Sequence, residues 1–203
     1  MTVEERHHGG MPSAISYGPG VPDEHDLRLC GDVTGKRVIE LGGTANAVAF
    51  AERGARVLAA ATAEQIDEGR ERAEQSEVRV EFHAGDLADL GFATSGSVDL
   101  VFSSGALAGV DDLPRVLRQA HRVLKPEGSL VFSVPHPMAA MLEGGEVVLR
   151  RGYGNGARTT SDYFMAVMRA GFRVDVMAEP HSINQPGALV PAALVIRAKK
   201  LGV

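Results

Sequence analysis

Several apolar runs in the chain end in groups that can hold a ligand or move a proton. Val38-Ile39-Glu40-Leu41 opens into Gly42-Gly43, so a carboxylate stands beside a turn whose bare backbone can approach a ligand. A helical pattern begins directly after that turn, and the first N–H groups of a helix can receive an anion. A second run, Val78 to His83, leads into Gly85-Asp86-Leu87, and a third ends at Ser103. After a further run comes Pro135-His136-Pro137, an imidazole suited to general-base work near neutral pH and held between two rigid residues. The remaining histidines, 7, 8, 25, 83, 121 and 181, read as structural or surface residues. Cys30 is the only cysteine, which rules out an internal disulfide and reads as a small buried apolar residue. No Cys/His or carboxylate cluster has the spacing of a metal site.

These groups need a scaffold. The 203 residues show no obvious linker, and 44 % hydrophobic content is enough for a sizeable core, so 1–203 reads as a single domain. A net charge of −5 argues against a nucleic-acid partner. No apolar run is long enough to span a bilayer, and the charged start lacks a signal peptide's apolar stretch, so the expected location is cytoplasmic. A homodimer is compatible with the sequence but is not specified by it.

The elements follow from periodicity and punctuation. Residues 1–20 read as a mobile arm, and Asp23 to Cys30 as a short helix. Strands are expected at 37–41, 55–60, 78–83, 97–103 and 129–134, with helices at 45–53, 63–75 and 113–124. Asp112 caps the last of these helices and Pro114 sits in its first turn. Strands separated by helices of this length imply parallel βαβ units. Residues 136–158 lose regularity, apart from a strand candidate at Glu146 to Arg150. A helix capped by Thr160 or Ser161 runs to Ala170, and two strands, 172–179 and 189–199, are joined too tightly for a crossover and should pair antiparallel.

A mostly parallel seven-stranded α/β sheet with helices on both faces and an antiparallel C-terminal hairpin resembles the Rossmann-like fold of class I S-adenosylmethionine-dependent methyltransferases. The motifs that carry the resemblance occur in order: Val38-Ile-Glu-Leu-Gly-Gly43, Gly85-Asp-Leu87, Val98-Asp-Leu-Val-Phe-Ser103, Asp111-Asp-Leu-Pro-Arg-Val-Leu117 and Val123-Leu-Lys-Pro-Glu-Gly-Ser-Leu-Val-Phe132. Ser133-Val-Pro-His-Pro137 and Pro191-Ala-Ala-Leu-Val-Ile-Arg197 are similar to a bacterial small-molecule branch. The resemblance implies S-adenosylmethionine as cofactor. Glu40, Gly42 and Gly43 would line its methionine part, Asp86 would accept from the adenine amino group, and Leu87 would give its amide to the ring. Ser103 would lie near the methionine end, and Tyr17 would close over it. His136 would be the catalytic base, residues 136–158 a lid or acceptor wall, and Tyr153 an acceptor contact.

Two departures from the family pattern support an alternative. The glycine loop is short, with Ala45 or Asn46 at its last glycine position, and strand two ends in Ala61-Thr62 where the family has a ribose-binding acid. On the alternative reading the chain is a catalytically lapsed binding protein on the same scaffold. A nicotinamide-dependent enzyme is disfavoured by the absence of Gly-x-Gly-x-x-Gly.

Overall fold

The structure is a computed structural model that describes residues 13–141 and 152–202. Its seven strands form one sheet in the order β3-β2-β1-β4-β5-β7-β6. The strands are β1 (Arg37–Leu41), β2 (Arg56–Ala61), β3 (Val80–Ala84), β4 (Val98–Ser104), β5 (Leu124–Pro135), β6 (Phe172–Ala178) and β7 (Ala193–Lys200). β1 to β5 pair in parallel, while β7 runs antiparallel to both β5 and β6. The strand order reverses between β1 and β4, which opens a crevice at their carboxyl ends.

Alternation along the strands sends side chains to two separate cores. Val38, Leu100, Phe102, Val131 and Val195 face helix α2 (Ala45–Glu52) and the segment 15–33. Ile39, Leu41, Val101, Leu130, Phe132 and Ile196 face α4 (Leu113–Val123) and α5 (Thr160–Arg169). Both faces are covered, which is why these strands read as continuous apolar runs. Helix α4 buries Val116, Leu117, Ala120 and Val123 along one stripe, with Asp112 capping it through the Arg115 N–H. Helix α3 (Ala63–Gln75) starts with a reciprocal capping box between Thr62 and Gln65. No helix among the described residues is long and apolar enough to cross a membrane.

Several boundaries differ from the expectation for local reasons. β5 begins at Leu124, and the expected turn at 125–128 is a bulge within it: Val98 pairs with Leu124 and Leu100 with Ser129. Helix α5 is capped by Thr159, whose box partner is Asp162, rather than by Thr160 or Ser161. The helix expected over 23–30 is only α1, Glu24–Leu27. The Glu24 carboxylate takes the N–H groups of Leu29, Cys30 and Gly31, drawing that backbone out of the helical path. Glu146 to Arg150 lies outside the described residues.

Of the arm expected over 1–20, residues 1–12 lie outside the described residues, and the correction concerns 13–20. Residues 13–20 are fastened to the body, with Ile15 and Tyr17 each 2 % exposed. Ser13 N–H donates to Glu52, Ser16 N–H to Asn46 Oδ1, Ser133 Oγ to the Tyr17 carbonyl, and Ile183 N–H to the Gly20 carbonyl. The tie rests on Glu24, which also accepts from the Tyr17 hydroxyl. Glu24→Ala would leave that buried hydroxyl and three amides without their acceptor. It is expected to cost about 2–4 kcal/mol, read from the urea midpoint at constant m-value.

Candidate active site

β1 delivers Glu40 to the crevice as a buried carboxyl, 2 % exposed. It accepts the Ala47 N–H at 2.5 Å and hydrogen bonds from Asn46, so the first turn of α2 is seated on it. Burial pushes Glu40 up to about 7, and the Ala47 and Asn46 donors offset only part of that. The turn between strand and helix has no room for side chains. A Cβ on Gly43 would lie 2.8 Å from Glu40 Oε1. At Gly42, φ is +80° and a Cβ would lie 2.1 Å from the Ala106 methyl, with Leu87 Cδ1 at 3.3 Å. The loop after β4 therefore packs directly on the glycine turn.

The shortened loop places its two non-glycine residues on opposite sides. Ala45 points outward, and Asn46 turns inward, 6 % exposed, to bond Glu40 and hold Ser16. At the end of β3, Asp86 is exposed; its Oδ1 accepts the Ala88 N–H at 2.8 Å and its other oxygen is directed to no donor among the described residues. Leu87 is half-buried against Gly42. At the end of β2, Ala61 is buried and carries no polar group.

Other expected site residues lie elsewhere. Ser103 is fully buried and donates to the Leu41 carbonyl at 2.9 Å, stapling β4 to β1 rather than facing the crevice. Tyr17 does not close over the site: its ring packs on Phe102 at 5.5 Å between centroids, and its hydroxyl goes to Glu24. His136 is 3 % exposed and has neither nitrogen to spare. Its Nδ1 accepts the Met138 N–H, which leaves Nε2 as the donor to Glu179 at 2.9 Å. Pro135 and Pro137 line the neighbouring cavity, while His136 between them turns away to Glu179. Tyr153 is half exposed, and its hydroxyl accepts the Thr160 N–H at the start of α5.

That neighbouring cavity, about 650 Å³, lies between the loop after β4 and the start of α5, lined by Ala108, Gly109, Asp111, Pro135, Arg158 and Tyr163 among others. It follows the glycine turn within a few residues, since Ala106 touches Gly42. Arg158 donates to the Ala108, Val110 and Asp111 carbonyls and ties the segment before α5 to this loop. A larger groove of about 780 Å³ lies at the starts of β2 and β3, lined by Arg56, Val57, Val80 and Phe82, away from the glycine turn. Among the described residues, no three His, Cys, Asp or Glu side chains are grouped to hold a metal. Sequence reasoning missed Asn46, Arg158 and Gln65 as site-forming residues. Only Gln65 had a readable signal, the Thr-x-x-Gln capping pattern from Thr62.

Residues 39–132 match the family model described as a methyltransferase domain. The chain is 31 % identical over 126 residues to a ubiquinone biosynthesis O-methyltransferase of Xanthomonas oryzae pv. oryzae, covering 59 % of this chain and 53 % of that one. It is 47 % identical over 53 residues to malonyl-[acyl-carrier protein] O-methyltransferase 1 of Coxiella burnetii, covering 26 % of this chain and 18 % of the other. The chain thus spans about half the length of one curated relative and under a fifth of the other. A solved structure described as a putative S-adenosylmethionine-dependent methyltransferase from Listeria monocytogenes superposes with a TM-score of 0.74 at 21 % identity, over 88 % of this chain and 98 % of that one, which is a likeness of fold.

Two outcomes follow from the geometry. Gly42→Ala would both strain a left-handed backbone and drive a methyl into Ala106, and is expected to cost about 2–4 kcal/mol in urea unfolding. The folded Glu40 carboxyl holds its proton more tightly than its ordinary value near 4.5, so its contribution to stability is full below that value and is lost as the pH rises through about 7. Glu40→Gln lacks this loss. The stability difference between the variant and the parent should therefore move in the variant's favour by ~3 kcal/mol from pH 4 to 8, at ~1.4 kcal/mol per unit; a flat difference would place an ionised Glu40 in the fold.

Proposed function

We propose that the chain is a class I S-adenosylmethionine-dependent methyltransferase, and that it moves the methyl group of that cofactor onto an oxygen of a small molecule. The carrying observation is the juxtaposition at the switch point. A side-chain-free turn over Glu40 and an available Asp86 oxygen lie at one end of the loop after β4, and an acceptor-sized cavity lies at the other. The two curated relatives are both named O-methyltransferases, which supports oxygen as the atom modified.

The residues fit the cofactor at two of its three parts. The Gly42-Gly43 turn offers backbone where any Cβ would clash, and Asp86 keeps a carboxylate oxygen for the adenine amino group, with Leu87 beside it. The third part, the ribose, meets no strand-two carboxylate at Ala61. When bound, the cofactor supplies an electrophilic methyl on a cationic sulfur. The chain's own contribution is then largely positional. The loop from Ala106 to Asp111 joins the two sites, Arg158 holds that loop against α5, and the cavity sets the acceptor's approach. His136 latches β5 to the hairpin, through Glu179 and the Ala192 carbonyl, instead of serving as base.

The alternative of a lapsed scaffold was motivated by the short loop and by Ala61. The first of these motives weakens, because α2 remains seated on Glu40 and neither Ala45 nor Asn46 crowds the turn.

Calorimetric titration with S-adenosylhomocysteine, after stripping carried-over ligand, tests the reading. Binding is expected, and Asp86→Ala should weaken it about 10- to 100-fold through loss of a charged acceptor. No heat and no thermal shift at millimolar ligand would sink the proposal. His136→Gln should lower the melting temperature while leaving the affinity unchanged. A variant that binds normally but loses all methyl transfer would return His136 to the chemistry.

A further inference from the structure

We propose that Gln65 holds the ribose of the adenosyl cofactor, as a neutral hydrogen-bond donor standing where the family pattern has an acid. The proposal rests on the methyltransferase reading above. The sequence marks Ala61 or Thr62 for that acid: Ala61 ends β2 with a methyl that is 1 % exposed, and the Thr62 hydroxyl donates to Gln65 Oε1 and accepts the Gln65 N–H. One turn into α3, the Gln65 carboxamide returns to the same place. Its Oε1 accepts the Thr62 N–H at 3.1 Å and the Thr62 hydroxyl at 3.2 Å, and its Nε2 donates to the Gly42 carbonyl at 3.3 Å. Since Leu41 and Ala60 are register partners on adjacent strands, a side chain bonded to both Thr62 and Gly42 spans the mouth between the ends of β1 and β2.

The group is held in place from behind as well. Thr44 Oγ1 donates to the Gln65 carbonyl at 3.1 Å. Gly69 lets α3 settle close: a Cβ there would meet Thr44 at 2.7 Å and Phe82 at 2.8 Å. The carboxamide is half-buried and preorganised, so its ordering is not charged against ligand binding. Its acceptor oxygen is already occupied by Thr62, whereas an amide nitrogen carries two hydrogens and Gly42 uses one. What remains for a ligand is an N–H donor, and a ribose hydroxyl can accept from it. The hydrogen-bond polarity is therefore the reverse of a carboxylate's, and the interaction carries no charge.

A ligand-and-residue cycle separates this role from simple helix capping. Affinities are measured by calorimetry for S-adenosylhomocysteine and for its 2′-deoxy and 3′-deoxy counterparts, with apo melting temperatures recorded alongside. The parent protein is expected to lose about 3- to 10-fold on removal of one of the two hydroxyls, the range of a neutral hydrogen bond. Gln65→Met should weaken S-adenosylhomocysteine by a similar factor and abolish the distinction between the ligands. Gln65→Glu keeps an oxygen on Thr62 and replaces the donor by a titratable acceptor, so its affinity should become pH-dependent through the carboxylate range. Hydroxyl discrimination that survives in Gln65→Met, or a flat pH profile in Gln65→Glu, would overturn the assignment to Gln65 alone. If the parent protein fails to bind S-adenosylhomocysteine at all, the methyltransferase reading falls and this proposal falls with it.

Discussion

The site is organised around a carboxyl group that has been taken out of water. Glu40 sits at the end of an interior strand with 2 % of its surface exposed, and a buried acid must find donors or keep its proton. It recruits Asn46 and Ala47, which brings the first turn of α2 down onto the strand end. With the helix start fixed there, the intervening turn is compressed until Gly43 has no space beyond its Cα and Gly42 rests on Ala106. Asn46, turned inward by the same contact, captures the Ser16 amide and so orients the amino-terminal segment. The close turn, the helix seat and the strap share one cause.

That cause was partly visible in the residues. The parallel strands and the terminal hairpin were legible because continuous apolar runs alternate with helix-length segments, and because 180–187 is too short for a crossover. Asp112 and Pro114 announced α4 for the same local reason that they form it. What could not be read was direction. Ser103, Tyr17 and His136 have the types of site residues, yet all three are buried and turned into the body, where each finds a partner. Residue type specifies capability, whereas facing depends on register and on which neighbours offer a better partner. Glu24 illustrates the point, since its side chain outcompetes helix continuation after Leu27.

The two departures from the family pattern proved to be of different kinds. In the shortened loop Ala45 faces solvent and Asn46 faces inward, where it accepts the Ser16 N–H. The missing strand-two acid is a real change in chemistry at that position, since Ala61 contributes only a packed methyl. One helical turn later the Gln65 side chain bonds Thr62 and Gly42 across the ends of β2 and β1, a contact invisible to position-by-position reading.

The fastening of the amino-terminal segment has a consequence for how the chain comes to be made. Tyr17 is synthesised before the hydroxyl that donates to its carbonyl, which belongs to Ser133, 116 residues further on, and Ile183, which donates to the Gly20 carbonyl, follows later still. Until those partners are synthesised, Ile15 and Tyr17 have no completed apolar face to settle on, and closing so long a loop is slow. The segment is therefore made before the partners it docks on and is seated only after them. For that interval Ile15 and Tyr17 lack the apolar contacts that bury them in the finished fold.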